Sequence, residues 1–209
     1  ARARMAAPPP EAWLRHVLWA VLGALRELHG AHILHRDISP DNIFLQDRGP
    51  PVLLDLGAAR KAMGRSVSSR HAPATVLTAS YAPIEQYPRA DSDLAQGPWS
   101  DLYALGAVVH GCLSNASPLP ATRRAVRDRM VPFAQVVRTA RRESGTHYSP
   151  AFVAAVSQAL ALRPEDRPES IDAFLRAMEM TEAPEGAGLF EFRAALGPVW
   201  SGPDADPAG

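Results

Sequence analysis

Residues 101–113, Asp-Leu-Tyr-Ala-Leu-Gly-Ala-Val-Val-His-Gly-Cys-Leu, are apolar nearly all the way round a helical wheel. A helix of that kind has no face to offer water, so other elements must enclose it. Ser100, just before it, is a good N-cap. The chain supplies partners for it. Leu14, Val17, Leu18, Val21, Leu22, Leu25 and Leu28 recur at spacings of three and four, an apolar stripe of helical period. Pro10 is tolerated in the first turn of that helix, and Gly30 is placed to cap its end. Ser149-Pro150 is a cap followed by proline at the first helical position, and Phe152, Val153, Val156, Leu160 and Leu162 follow. These three helices can share one core, and the fold class is mainly α. Residues 114–148 are less regular and include an Arg-rich helical piece at 121–130. Its Arg123, Arg124, Arg127 and Arg129 read most simply as a solvated face, with a docking patch as the lesser reading. Arg163-Pro164-Glu165-Asp166-Arg167-Pro168 then breaks the chain, and Ser170 caps a last helix to about Met180.

The 209 residues suffice for one domain with a sizeable core. Lys and Arg number 22 and Asp and Glu number 22, so no global field favours nucleic acid or an anionic membrane. Cys112 is the single cysteine, which excludes an intrachain disulfide and points to a reducing, cytoplasmic compartment. No apolar run approaches the roughly 20 residues that span a bilayer, and no signal-peptide core follows Ala1-Arg2-Ala3-Arg4-Met5. Residues 1–10, ending in Pro8-Pro9-Pro10, read as a loop. Residues 11–180 form the body, and the Pro-, Gly- and Ala-rich stretch 181–209 reads as a linker or tail.

The chemistry concentrates between residues 35 and 57. His35-Arg36-Asp37-Ile38-Ser39-Pro40-Asp41-Asn42 sets a carboxylate and a carboxamide five positions apart. Two short apolar runs, Ile43-Phe44-Leu45 and Val52-Leu53-Leu54, flank Gln46-Asp47-Arg48-Gly49 and read as a hairpin. The hairpin brings Asn42, at its entry, beside Asp55, at its exit. Such an oxygen-rich pair suits Mg²⁺, and Asp37 stands nearby to take a proton. Alternatively, Asn42 and Asp55 satisfy turn backbone groups and Asp37 caps a loop.

This stretch resembles the protein kinase catalytic loop (His-Arg-Asp, four residues, Asn) followed by the metal-binding Asp-Phe-Gly motif, here Asp55-Leu56-Gly57. Further resemblances come in the family's order. Thr78 matches the threonine typical of serine/threonine kinases, and Glu85 falls at the Glu of Ala-Pro-Glu. Asp101 opens the buried helix, and Arg167 stands where an arginine pairs with that glutamate. Tyr81-Ala-Pro-Ile-Glu-Gln-Tyr87 and residues 161–168 look like bacterial serine/threonine kinases. The resemblance spans about residues 11 to 180 and implies a kinase-like C-terminal lobe, helical, with a short β-hairpin carrying the catalytic and metal loops. In that comparison residues 1–10 are the loop from a preceding helix.

The resemblance further implies ATP and Mg²⁺ as cofactors and a protein with a Ser or Thr acceptor as partner. Asp37 is then the proton acceptor, Asn42 and Asp55 the metal ligands, Phe44 the floor of the adenine site and Thr78 part of the acceptor site. His35, Arg36, Leu56, Gly57, Glu85, Asp101 and Arg167 are structural; Arg36 also receives an activation-loop phosphate in some family members. Ser66, Ser68, Ser69 and Thr75 are phospho-acceptor candidates. Three features depart from the family pattern. Ser39 replaces the usual catalytic-loop lysine, whose charge stabilises the moving phosphoryl group; Leu56 replaces phenylalanine; and Phe44 replaces a smaller aliphatic residue. No glycine-rich phosphate loop and no Val-Ala-Ile-Lys-like strand occur in the sequence, so the chain by itself is expected not to transfer phosphoryl groups. Two rival readings remain: a pseudokinase or half-kinase binding module, and a kinase-like small-molecule phosphotransferase.

Overall fold

The computed structural model describes residues 7–46, 49–61, 78–87, 94–188 and 190–192. Helix α1 (Glu11–Gly30) carries the leucine stripe and buries Leu14, Leu18, Val21, Leu22 and Leu25. Each contributes about 1.5–3 kcal/mol by leaving water. Gly30 does not cap α1. It is the last helical residue, and the left-handed conformation falls two positions later on His32, at φ 57°.

Helix α2 (Pro98–Ser114) is the buried one, with residues 100–110 all shielded from solvent. It starts earlier than its sequence suggests, because Pro98 fits the first helical position, where no N–H is needed. Gly97 is therefore the cap, and Ser100 lies inside the first turn. Asn115, at φ 50°, ends the helix. Against α2 pack α4 (Phe133–Ser144), α5 (Pro150–Ala159) and α6 (Ile171–Ala177). The α2–α5 approach is close: a Cβ on Gly106 would stand 3.3 Å from Ala159 Cβ. Ser149 and Ser170 cap their helices through Oγ, accepting from Phe152 N and Ala173 N, each at 3.2 Å. Helix α6 stops at Ala177, short of Met180, although Met178 and Met180 stay buried.

Two expectations for the middle of the chain need correction. Helix α3 covers only Ala121–Val126, and its arginines do not form one solvated face. Arg124 is 7% exposed and donates to Tyr103 Oη at 3.0 Å, Leu160 O at 2.8 Å and Asp128 Oδ2 at 2.9 Å. Helix α4 lies in the stretch read as irregular. Its buried Phe133, Val136 and Ala140 recur at helical spacing, and Gly145, at φ 72°, caps it.

Residues beyond 180 also contact the body of the fold. Trp13 Nε1 donates to Phe192 O at 2.9 Å, His16 Nε2 lies 3.0 Å from Glu185 O, and Phe190 stacks on His16 at 3.8 Å. Phe192 is 1% exposed. The first part of the 181–209 stretch therefore packs on α1, because Phe190 and Phe192 cover apolar surface that α1 would otherwise expose.

Among the described residues, four two-residue strands position the site. Strand β1 (Ile33–Leu34) pairs antiparallel with β4 (Arg60–Lys61). Strand β2 (Ile43–Phe44) pairs antiparallel with β3 (Val52–Leu53), with Ile43 opposite Leu53 and Phe44 opposite Val52. Among the described residues, no helix is long and apolar enough to cross a membrane.

Candidate active site

Asp101, in the first turns of α2, organises the loop at 35–42. Its carboxylate is wholly buried. Oδ2 accepts from His35 N at 3.0 Å and lies 2.8 Å from His29 Nε2, and Oδ1 accepts from Arg36 N at 2.8 Å. Donors of this kind hold a buried carboxylate far more firmly than a surface contact does. Arg36 meanwhile takes a left-handed backbone, φ 69°.

The wholly buried His35 continues the chain of contacts. Its Nδ1 accepts from Asp37 N at 3.3 Å, so Nε2 bears the proton and donates to Leu54 O at 3.1 Å. One imidazole thus links the 35–42 loop to the exit of β3. From the other side, Leu54 N donates to Asn42 O at 2.8 Å. Asp55 is the next residue along, so hairpin register brings the Asn42 and Asp55 backbones together.

Their side chains are oriented separately. Asn42 Nδ2 donates to Asp37 O at 2.7 Å and to Asp37 Oδ2 at 3.0 Å. That commits the amide hydrogens and leaves Asn42 Oδ1 as an oxygen donor for a cation. Asp55 is exposed, in a left-handed conformation (φ 61°, ψ 85°), with Oδ1 accepting from Gly57 N at 2.8 Å. A Cβ on Gly57 would lie 2.8 Å from that oxygen, so any other residue there would push the Asp55 carboxylate out of this turn. Two hard oxygen groups on one hairpin fit Mg²⁺, which completes its shell with water and phosphate oxygens rather than a protein cage.

Phe44 is 50% exposed, Val52 38%, Leu54 40% and Leu56 54%. Phe44 stands opposite Val52, and Leu54 is two residues on, so these three share one face. That face is an open apolar floor beside the Asn42–Asp55 end. Ser39 is 4% exposed.

Glu85 and Arg167 meet 82 residues apart in sequence. Both side chains are wholly buried, with Arg167 Nη1 to Glu85 Oε1 at 2.6 Å and Nη2 to Oε2 at 3.1 Å. Ser100 Oγ donates to the same Oε1 at 2.8 Å. Arg167 also donates to Ala161 O and Leu162 O, both at 2.8 Å, and its guanidinium lies 4.7 Å from the Tyr103 ring centre. Burial raises the Tyr103 phenol above its ordinary value, with Arg124 and Arg167 working the other way. Burial also works against the charge of Arg124, but its hydrogen bonds to Asp128 and Tyr103 raise it overall.

Sequence reasoning missed His29 and Ser100 as members of these networks. Neither carries a local signal, since each finds its carboxylate only through the fold. The Thr78 side chain and the candidates Ser66, Ser68, Ser69 and Thr75 lie outside the described residues; the Thr78–Ser80 backbone forms a single 3₁₀ turn.

Residues 4–181 match the family described as protein kinase domain. Serine/threonine-protein kinase PknA of Nostoc sp. is 32% identical over 177 residues, 83% of this chain and 28% of the relative. Serine/threonine-protein kinase PknL of Mycobacterium tuberculosis is 32% identical over 186 residues, 88% of this chain and 44% of the relative. The solved apo form of PpkA-294 superposes with a TM-score of 0.60 at 34% identity, covering 81% of this chain and 54% of that one. The chain thus spans about a quarter to a half of the length of these relatives.

Proposed function

Because this chain belongs to the protein kinase family, we propose that it is the catalytic and substrate-binding lobe of a serine/threonine protein kinase of bacterial type. The observation that carries this reading is the Asp37–Asn42 pair on a loop whose backbone Asp101 holds. Asp37 Oδ2 is occupied by Asn42, while Oδ1 has no partner among the described residues. Oδ1 accepts or orients the proton of a Ser or Thr hydroxyl. The hydroxyl oxygen bonds to the γ-phosphorus of ATP, the bond to the bridging oxygen breaks, and ADP departs. Asn42 Oδ1 and the Asp55 carboxylate would hold Mg²⁺, which neutralises charge on the phosphates.

Phe44 offers its ring to the adenine on the exposed face of the hairpin. Thr78 and the turn after it line the acceptor site. Glu85, Asp101 and Arg167 hold that segment and the catalytic loop in register. A cytoplasmic site of action suits ATP as donor and the single cysteine.

The test is transfer of radiolabelled phosphate from ATP by the intact gene product. Asp37→Asn keeps the shape but removes the proton acceptor, so turnover should fall by about 10²–10⁴-fold while nucleotide affinity stays nearly unchanged. Near-wild-type turnover would remove Asp37 from the mechanism. A second reading, a binding module without transfer, is favoured by one observation, the Ser39 that stands in place of a cation. It predicts no Asp37-dependent transfer to any acceptor.

A further inference from the structure

A groove of about 760 Å³ lies away from Asp37, between the end of α2, residues 115–120, the stretch Arg129–Val131 and α4. That volume is in the range of ligand sites. Leu119, Met130 and Val136 give it apolar surface, and Gln135, Thr139 and Glu143 line it from α4. His110 forms part of its wall. His110 Nε2 donates to Val131 O at 2.9 Å, and its buried Nδ1 has no partner among the described residues. Ser80 also lines the groove, which joins it to the turn that follows Thr78.

Arg129 lines the groove, and the stretch of chain around it is strongly basic. Residues 121–144 hold seven arginines against two acidic residues, in a chain whose charges balance overall. Of those two, Asp128 is already engaged by Arg124, and Glu143 lies 3.7 Å from Arg142. Arg123, Arg127, Arg129, Arg138 and Arg142 are all exposed. On α4, Arg138 and Arg142 each follow a groove-lining residue by three positions, so they border the groove. Nearby, Val131 is 46% and Val126 87% exposed. Apolar surface bordered mostly by positive charge selects a partner of opposite charge.

We infer that this groove docks an acidic, amphipathic segment of the protein substrate, whose apolar side chains enter it while its carboxylates meet the rim arginines. The inference rests on the kinase reading for calling the partner a substrate. The groove reaches Ser80, so a segment seated there tethers the rest of the substrate beside the acceptor turn and raises its effective concentration.

The experiment is fluorescence anisotropy on the full 209-residue chain. The probe is a fluorescein-labelled peptide of glutamates with leucine at every third or fourth position. Saturable binding is expected, weakening as salt rises because the rim charges are exposed. Arg129→Glu/Arg138→Glu/Arg142→Glu should raise Kd about tenfold or more at low salt, with an unchanged circular dichroism spectrum. Thr139→Trp, which fills the groove and leaves every rim charge in place, should also weaken binding. Absence of saturable binding, or equal Kd for wild type and the charge-reversed variant, overturns the inference. So does binding of phosphatidylserine vesicles or duplex DNA, lost in the charge-reversed variant, when the acidic peptide does not bind. Transfer by the intact gene product to a short acceptor peptide without glutamates reports on the kinase reading separately. If that transfer is absent while the acidic peptide binds, the enzyme assignment fails and the groove stands.

Discussion

Replacing the buried Arg167 by alanine should damage the fold more than any single arginine change on the surface of this protein. Arg167 and Glu85 have no side-chain exposure and pair through two contacts, at 2.6 and 3.1 Å. Without Arg167, the Glu85 carboxylate keeps, among the described residues, only the Ser100 hydroxyl, and the carbonyls of Ala161 and Leu162 lose a donor. Breaking a buried pair from one side costs about 3–5 kcal/mol. For a domain of this size each kcal/mol shifts Tm by about 2–4 °C, so a fall of roughly 6–20 °C is expected. Thermal unfolding followed by circular dichroism measures it. Arg142→Ala is the control, because that side chain is 79% exposed, and a surface change of this kind should stay within about 0.5 kcal/mol. Arg124 cannot serve as control, since it is itself buried. A double variant, Glu85→Leu/Arg167→Met, should recover much of the loss, because removing both charges leaves neither uncompensated. A Tm change for Arg167→Ala no larger than for Arg142→Ala, or a double variant no better than the single, would refute the reasoning.

Asp55→Asn should weaken Mg²⁺-dependent nucleotide binding by the intact gene product, since a formal charge facing the cation is lost; a Mg²⁺ titration at fixed ATP reads this, and unchanged metal dependence would move the metal elsewhere. Asp101→Asn should lower turnover and Tm together, because an amide nitrogen replaces one of the oxygens that accept from His35 N, Arg36 N and His29; loss of turnover without any change in Tm would contradict a positioning role. Burial holds the His110 imidazole below its ordinary value of 6.5, opposed by its bond to Val131. The unfolded chain therefore binds this proton first, so the stability His110 contributes is full above about pH 6.5 and declines as the pH falls below it. His110→Gln should give a shallower fall in Tm between about pH 7 and pH 5, and an identical slope would exclude His110 as a source.

Local pattern carried much of this protein. The leucine spacing in 14–28, the apolar run at 101–113 and the Ser149-Pro150 cap each encode a helix, because helical period and capping act over a few residues. The hairpin was legible for the same reason: two apolar runs around a turn leave one register, and that register brings Asn42 to Leu54 and hence beside Asp55. The 133–144 helix was legible too, in Phe133, Val136 and Ala140, although residues 114–148 read as less regular. Apart from Glu85 and Arg167, which the family resemblance paired, tertiary structure decided which charges went inside. Arg124 and Arg123 are adjacent and chemically identical, yet only Arg124 reaches Tyr103 and Leu160, 21 and 36 residues away. His29 finds Asp101 across 72 residues, and Phe192 finds Trp13 across 179. Burying a charged or polar group is tolerated only where partners meet it. Those partners come from distant elements, so no local window of sequence holds the information.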